Sequence, residues 1–263
     1  DKVYEAVKNA IDLLGGMKKF IKPGEKVLVK PNLVSPRPPP VTTDPRVTRA
    51  VAILVKEAGA KPIIGESCSA MTHWWREGMT TRQVMEILGY TDMAKSIGVE
   101  LVPFDEDGKF KSVKVKIPNG ILVKEIELAE LVMKVDKIIG VPILKTSMEG
   151  GGITGCLKLM HGVVNTFNDR LRWHRSDLWY KIVDELKPFI NKYVLGVFDA
   201  IKCMEGDGPI HGSPVDMNLI IAGDDPVATD AIAAKIIGYE YPHLEIGPIA
   251  IAHVQGLGVG DPS

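Results

Sequence analysis

The residues of this chain best placed for chemistry are lysines and carboxylates that each follow a short apolar run. Lys30-Pro31-Asn32 follows one run, Glu66-Ser67-Cys68 a second and Lys145-Thr146-Ser147 a third; Asp199 closes a fourth with Glu205 just beyond, and Asp224-Asp225 follows a fifth. Ammonium groups hold carboxylate or phosphate, and neighbouring carboxyl groups move protons, so the set suits acid–base chemistry on a small anion. Gly150-Gly151-Gly152-Ile153-Thr154-Gly155 then leads into the apolar positions Leu157, Leu159, Met160, Val163 and Val164. That pattern predicts a buried helix beginning near Gly152, whose N–H groups and dipole suit an anion. The alternative is a tight turn that needs glycine conformations. The spacing fits neither a P-loop nor a dinucleotide fingerprint, so neither ATP nor NAD follows.

Lys158 shares a helix face with Thr154 and His161. Lys30, Lys145 and Lys158 each admit two readings: a buried ion pair with Glu66, Asp199 or Glu205, or a cation turned toward a ligand, including a desolvated amine acting as base or nucleophile. His161 reads as a hydrogen-bonded core residue. His174 and Arg175, within the basic, aromatic segment 170–175, read as a cover over an anion or as a solvated helix face. His73-Trp74-Trp75-Arg76 overhangs the same edge or simply packs. Asp224, Asp225 and Asp230 flank a helix start, where acids are stabilising; with Asp199 and Glu205 they also have the chemistry to hold a hard cation, which their spacing does not demand. No zinc signature is present. Cys68, Cys156 and Cys203 fall near strand ends, so a shared soft-metal or cluster site is the bold reading and isolated packing thiols the default.

Positioning these residues falls to short apolar runs that alternate with segments of helical period, the pattern of a doubly wound, mostly parallel α/β sheet with helices on both faces. Strands are predicted over 26–30, 62–65, 99–104, 137–144, 193–199 and 217–222. Asp44-Pro45 and Asp225-Pro226 each cap a helix with proline in its first turn. A charge-rich hairpin around Pro118-Asn119-Gly120 reads as an insertion near 108–128 in a single domain covering 1–263. In such a sheet the residues after each parallel strand gather along one edge, where ligands bind.

The 263 residues carry 32 Lys+Arg against 33 Asp+Glu, a balance with no global pull toward nucleic acid or membrane. Three cysteines without a Cys-x-x-Cys pair point to a reducing compartment and a cytoplasmic protein. No apolar run is long enough to span a membrane, and Asp1-Lys2-Val3-Tyr4 opens an amphipathic helix rather than a signal peptide, although a first residue other than Met is also compatible with a removed leader.

Lys30-Pro31-Asn32-Leu33-Val34, Thr42-Thr43-Asp44-Pro45, Gly65-Glu66-Ser67, the stretch from Leu144-Lys145-Thr146 to Lys158, Met204-Glu205-Gly206 with Gly208-Pro209, and Gly223-Asp224-Asp225-Pro226-Val227-Ala228 together resemble domain-of-unknown-function family 362 over nearly the whole chain. The resemblance implies no assigned reaction, and a connection to electron transfer through the ferredoxin-like modules of other members. This chain has Ser147 where members often have histidine, and its three cysteines stand where members commonly lack them. The strand order is also distantly similar to the N-terminal domain of lactate racemase-type enzymes, a fold-level analogy. The combined expectation is an enzyme acting on a small anionic metabolite, its cofactor unknown. Glu66, Lys145, Lys158, Asp199 and Glu205 would do the chemistry. Lys30, Asn32, Ser67, Thr146, Gly151, Gly152, Thr154, Gly155, His174, Arg175, Asp224 and Asp225 would bind the ligand. The alternative is a non-catalytic ligand holder or electron relay working with an iron–sulfur partner.

Overall fold

The computed structural model of the chain describes residues 1–69, 72, 78–106, 109–147, 152–165, 174 and 176–263. β-branched and aliphatic runs form strands β1 (Lys26–Pro31), β2 (Lys61–Glu66) and β3 (Glu100–Pro103), joined by helices Pro45–Glu57, Thr81–Ile87 and Tyr90–Ser96. The short pair β4 (Asp105–Glu106) and β5 (Lys109–Phe110) and the hairpin β6 (Ser112–Lys116) and β7 (Glu125–Ala129) then depart from the sheet. The chain returns as β8 (Lys137–Val141), β9 (Ile143–Ser147) and β10 (Gly152–Thr154), and closes with β11 (Tyr193–Glu205) and β12 (Ser213–Gly223).

β1, β2, β3, β8, β9 and β11 run parallel, and β10 and β12 antiparallel. β8 and β9 are two halves of one line of chain broken at Pro142, which has no N–H to give the ladder. Gly196, Asp199 and Met204 of β11 each pair with β12 on one edge and with β8 or β9 on the other. The Pro142 carbonyl still accepts the Asp199 N–H at 2.8 Å, so the break keeps β11 in place. On its far edge the same line pairs β1 first and β10 next. β9 therefore projects past the end of β1, and β10 fills the vacated position.

Alternate residues of these strands feed two cores. Val29, Ile64, Ile139 and Val197 pack with Val47, Val51 and Val55 of the Pro45–Glu57 helix on one face, and Leu28, Ile138, Leu144 and Phe198 pack with Ile182, Val183 and Ala231 on the other. Each such aliphatic side chain contributes on the order of 1.5–3 kcal/mol by leaving water. Asp44 caps its helix by accepting the Arg46 N–H at 2.8 Å ahead of Pro45, and Asp225 caps the Pro226–Ile236 helix through Val227 and Ala228. Among the described residues no helix is long and apolar enough to cross a membrane.

Two expectations change. Gly152 does not start a helix: Gly152–Thr154 pairs back on Ser147, Thr146 and Lys145, because the edge of β9 beyond β1 is open for pairing. The helix that follows is only Cys156–Leu159, continued by the 3₁₀ turn Met160–Val163. Secondly, β12 runs against its neighbour. Its last residue, Gly223, pairs with Gly196 near the start of β11, which carries Asp224 and Asp225 to the amino end of the parallel strands.

Candidate functional site

Sheet order reverses between β1 and β8, since β2 and β3 lie to one side of β1 and β8 to the other. Open sheets bind ligands outside the carboxyl ends at such a switch point. Two groups of polar side chains meet this edge.

At the ends of β1 and β2, Lys30 and Glu66 form a buried ion pair. Chain closes over it. A Cβ built on Gly162 would come within 2.6 Å of Lys30 Nζ and 2.8 Å of Glu66 Oε1, so a side chain there would press on the pair, and Ser67 Oγ donates to the Gly162 carbonyl at 2.7 Å. Beside this lid, His161 Nδ1 lies 3.0 Å from Glu185 Oε2, and the His174 ring meets that of His161 edge-on at 5.0 Å. Lys30, Glu66 and Ser67 are thus engaged with one another or with the lid. Asn32 is occupied locally, its Oδ1 accepting the Val34 N–H at 3.2 Å.

Past the end of β8 the arrangement is different. Lys145 is 1% exposed, yet among the described residues it faces no carboxylate: its ammonium donates to the carbonyls of Val41 at 2.5 Å and Pro209 at 3.0 Å. Burial, with Lys158 nearby, lowers its pKa to about 7. Across the β9–β10 ladder its partner is Thr154, whose Oγ1 is buried with no hydrogen-bond partner among the described residues. Ser147 projects from the same side of β9 and accepts a 2.6 Å hydrogen bond from Lys158. Asp199, level with Ile143 in the ladder, accepts the Asp44 N–H at 2.7 Å and the Ile201 N–H at 3.2 Å. Burial raises its pKa to about 6 against the pull of those two N–H groups. Loop 32–44 is thereby tied to the edge at Val41 through Lys145, at Asp44 through Asp199, and at Thr43, whose hydroxyl donates to the Val141 carbonyl at 2.7 Å.

The start of the Cys156–Leu159 helix is already filled by the chain's own anion. Asp230 accepts the Cys156 N–H at 2.5 Å and the Leu157 N–H at 3.0 Å, and a Cβ on Gly155 would sit 2.4 Å from Asp230 Oδ1. Burial raises the Asp230 pKa to about 7, opposed by those same N–H groups. The expected anion site at this helix start, with Gly152 and Gly155 as its cradle, is therefore corrected: the donors exist, and Asp230 satisfies them. Nothing in the spacing of Asp230 from the glycine run announces this, since the two meet only through packing of the Pro226–Ile236 helix.

Other expected site residues scatter. Asp224 pairs with Lys19 at 3.1 Å on the surface, and Asp225 spends both oxygens on Val227, Ala228 and Val259 N–H groups, each at the amino end of the strands. Glu205 and Thr146 line a cleft on the opposite face of β9 and β11 from Lys145, with Thr146 also donating to the Gly206 carbonyl at 2.9 Å. Gly150, Gly151, His73 to Arg76, Arg170 to Trp173 and Arg175 lie outside the described residues. The shared cysteine site fails on geometry: Cys68 packs in one core, Cys156 and Cys203 in the other, on opposite sides of the sheet. Burial pushes the Cys156 thiol up and that of Cys203 to about 12, away from the thiolate form a soft metal needs.

Comparison with known proteins agrees with this architecture. The thylakoid-associated protein sll1697 of Synechocystis sp. is 29% identical over 245 residues, covering 88% of this chain and 69% of that protein. The lactate racemase apoprotein of Thermoanaerobacterium thermosaccharolyticum superposes with a TM-score of 0.59 at 14% identity over 89% of this chain, and a Thermotoga maritima protein with a TM-score of 0.54 at 15% identity over 89%. The chain spans 55% and 58% of the length of those two structures, and at such identity the likeness is one of fold. Residues 27–235 match the family described as Domain of unknown function (DUF362), most of the chain's length, and the protein belongs to that family.

Proposed function

We infer that the polar cluster past β8 binds a small carboxylate or phosphate metabolite and moves a proton on it, with Lys145 as the base. The observation that carries this reading is a buried lysine held by two carbonyls and, among the described residues, no carboxylate, opposite a Thr154 hydroxyl with no partner among them. Burying a charge without a counter-ion costs several kcal/mol, and a fold accepts that cost readily where a ligand supplies the missing anion or where chemistry needs a neutral amine. With a pKa of about 7, Lys145 divides between amine and ammonium at neutral pH, the range in which a general base works best. Lys158, carried by Ser147, and the Thr154 hydroxyl supply the positive charge and the donor for the anion. Asp199 positions loop 32–44 rather than the ligand, because both its oxygens accept backbone N–H groups. The likeness of fold to a lactate racemase apoprotein supports an enzyme. The three cysteines, buried and outside any disulfide among the described residues, support a reducing, cytoplasmic setting.

Thermal unfolding with and without millimolar phosphate or citrate tests the binding step. The wild-type protein should be stabilised, more at pH 6 than at pH 8.5 because the ammonium form of Lys145 attracts the anion, and Lys145→Met and Lys158→Met should each lose most of the gain. Equal stabilisation of all three proteins sinks the reading. Mass spectrometry of metabolites copurified with the protein, followed by incubation of each with fresh enzyme in deuterated water, separates proton-transfer chemistry from mere holding.

A further inference from the structure

We propose that the cleft on the opposite face of β9 and β11 is a second ligand site, and that its ligand is an organic cation with an apolar body. β9 serves both sites through strand alternation: Lys145 and Ser147 turn to the polar cluster described above, Leu144 and Thr146 to this cleft. The cleft has a volume of about 660 Å³, within the range that accommodates a small organic molecule. Its walls are largely apolar, with Met217 among them, whose flexible thioether adapts to irregular apolar ligands. Tyr239 adds an aromatic ring, and Glu205 and Glu245 add two carboxylates. No lysine, arginine or histidine lines the cleft among the described residues, so its charge is negative throughout. Apolar walls select a hydrocarbon body, while an aromatic ring and two carboxylates with no competing cation select an ammonium head. This complementarity is opposite in sign to that of the Lys145 cluster, which keeps the two ligands apart.

Calorimetric titration of the whole protein with hexyltrimethylammonium, hexanol and hexanoate tests the assignment. The ammonium should bind about tenfold more tightly than hexanol, equivalent to ~1.4 kcal/mol, and hexanoate should bind weakest. Glu205→Gln combined with Glu245→Gln should bring the ammonium down to the level of hexanol, and Val215→Trp, which fills the cleft from its outer strand, should abolish both. Lys145→Met should leave the ammonium affinity unchanged, so failure here is distinguishable from failure of the anion site. Equal affinity for the three probes, no heat from the ammonium at millimolar concentration, or an ammonium affinity untouched by the paired glutamine substitutions overturns the proposal.

Discussion

Lys30 and Lys145 follow β1 and β8 at the same edge of one sheet, and both are buried, yet one faces Glu66 and the other two carbonyls. What differs is the chain above them. β1 ends beneath the Met160–Val163 turn, which lays Gly162 against the Lys30–Glu66 pair. β8 runs on through Pro142 into β9, so Lys145 stands in the extension beyond the edge, roofed by loop 32–44 and flanked by β10. A lysine closed in with its counter-ion is part of the fold's own pairing, whereas a lysine closed in without one is, on the function proposed above, the group that meets a ligand. Position at a strand end selects both; only the counter-ion tells them apart.

Breaking the paired region should produce the largest effect. Glu66→Gln leaves the Lys30 ammonium in a site that water does not reach, and a buried pair broken on one side costs about 3–5 kcal/mol. Chemical denaturation should show the midpoint falling with little change in slope. A loss under ~1 kcal/mol would mean that Lys30 is compensated elsewhere and that the contrast with Lys145 is false.

That pairing was only half legible in the sequence. Lys30 and Glu66 both stand out as strand-end charges, and the two helix caps at Asp44 and Asp225 follow directly from Asp-Pro dipeptides ahead of apolar periods. The sheet's parallel core and the hairpin β6–β7 were equally readable, because alternation and turn residues are local signals. Direction is not local. Met217 to Ala222 reads as a strand whichever way it runs, and its antiparallel pairing removed Asp224 and Asp225 from the expected edge. Nor did the apolar run after Gly152 reveal that its first residues would pair with β9 and that Asp230, distant in sequence, would take its helix N–H groups. Tertiary pairing overrode a helical period in both respects.

A smaller disturbance probes the lid without removing a charge. In Gly162→Ala the new methyl would press on Lys30 Nζ and both Glu66 oxygens, and the lid must lift or the pair must part. Overpacking of this kind costs about 1–3 kcal/mol. Hydrogen exchange should localise the loosening to the 156–165 segment and leave β9 protected. Loosening that spreads to β9 and β10 would show the two regions to be mechanically one.

Lys145→Met should change stability least at neutral pH and differ most in how stability depends on pH. The methionine matches the lysine stem in bulk and removes a desolvated charge, which offsets the loss of two hydrogen bonds to the Val41 and Pro209 carbonyls, so the net change should stay within about 1 kcal/mol. The pH dependence has a definite sign. Lys145 titrates at about 7 in the folded protein, against roughly 10.4 for an unperturbed lysine. Between those values the unfolded chain binds the extra proton, so folding stability rises with pH across that window and gains nothing more below pH 7, where both states are protonated. Lys145→Met removes this contribution, and Lys30→Met, whose lysine keeps a carboxylate beside it, should not reproduce the change. Denaturation midpoints from pH 6 to pH 10 for both variants make the comparison. If the wild-type and Lys145→Met curves run parallel across that range, Lys145 is protonated throughout and serves as a fixed cation rather than a base.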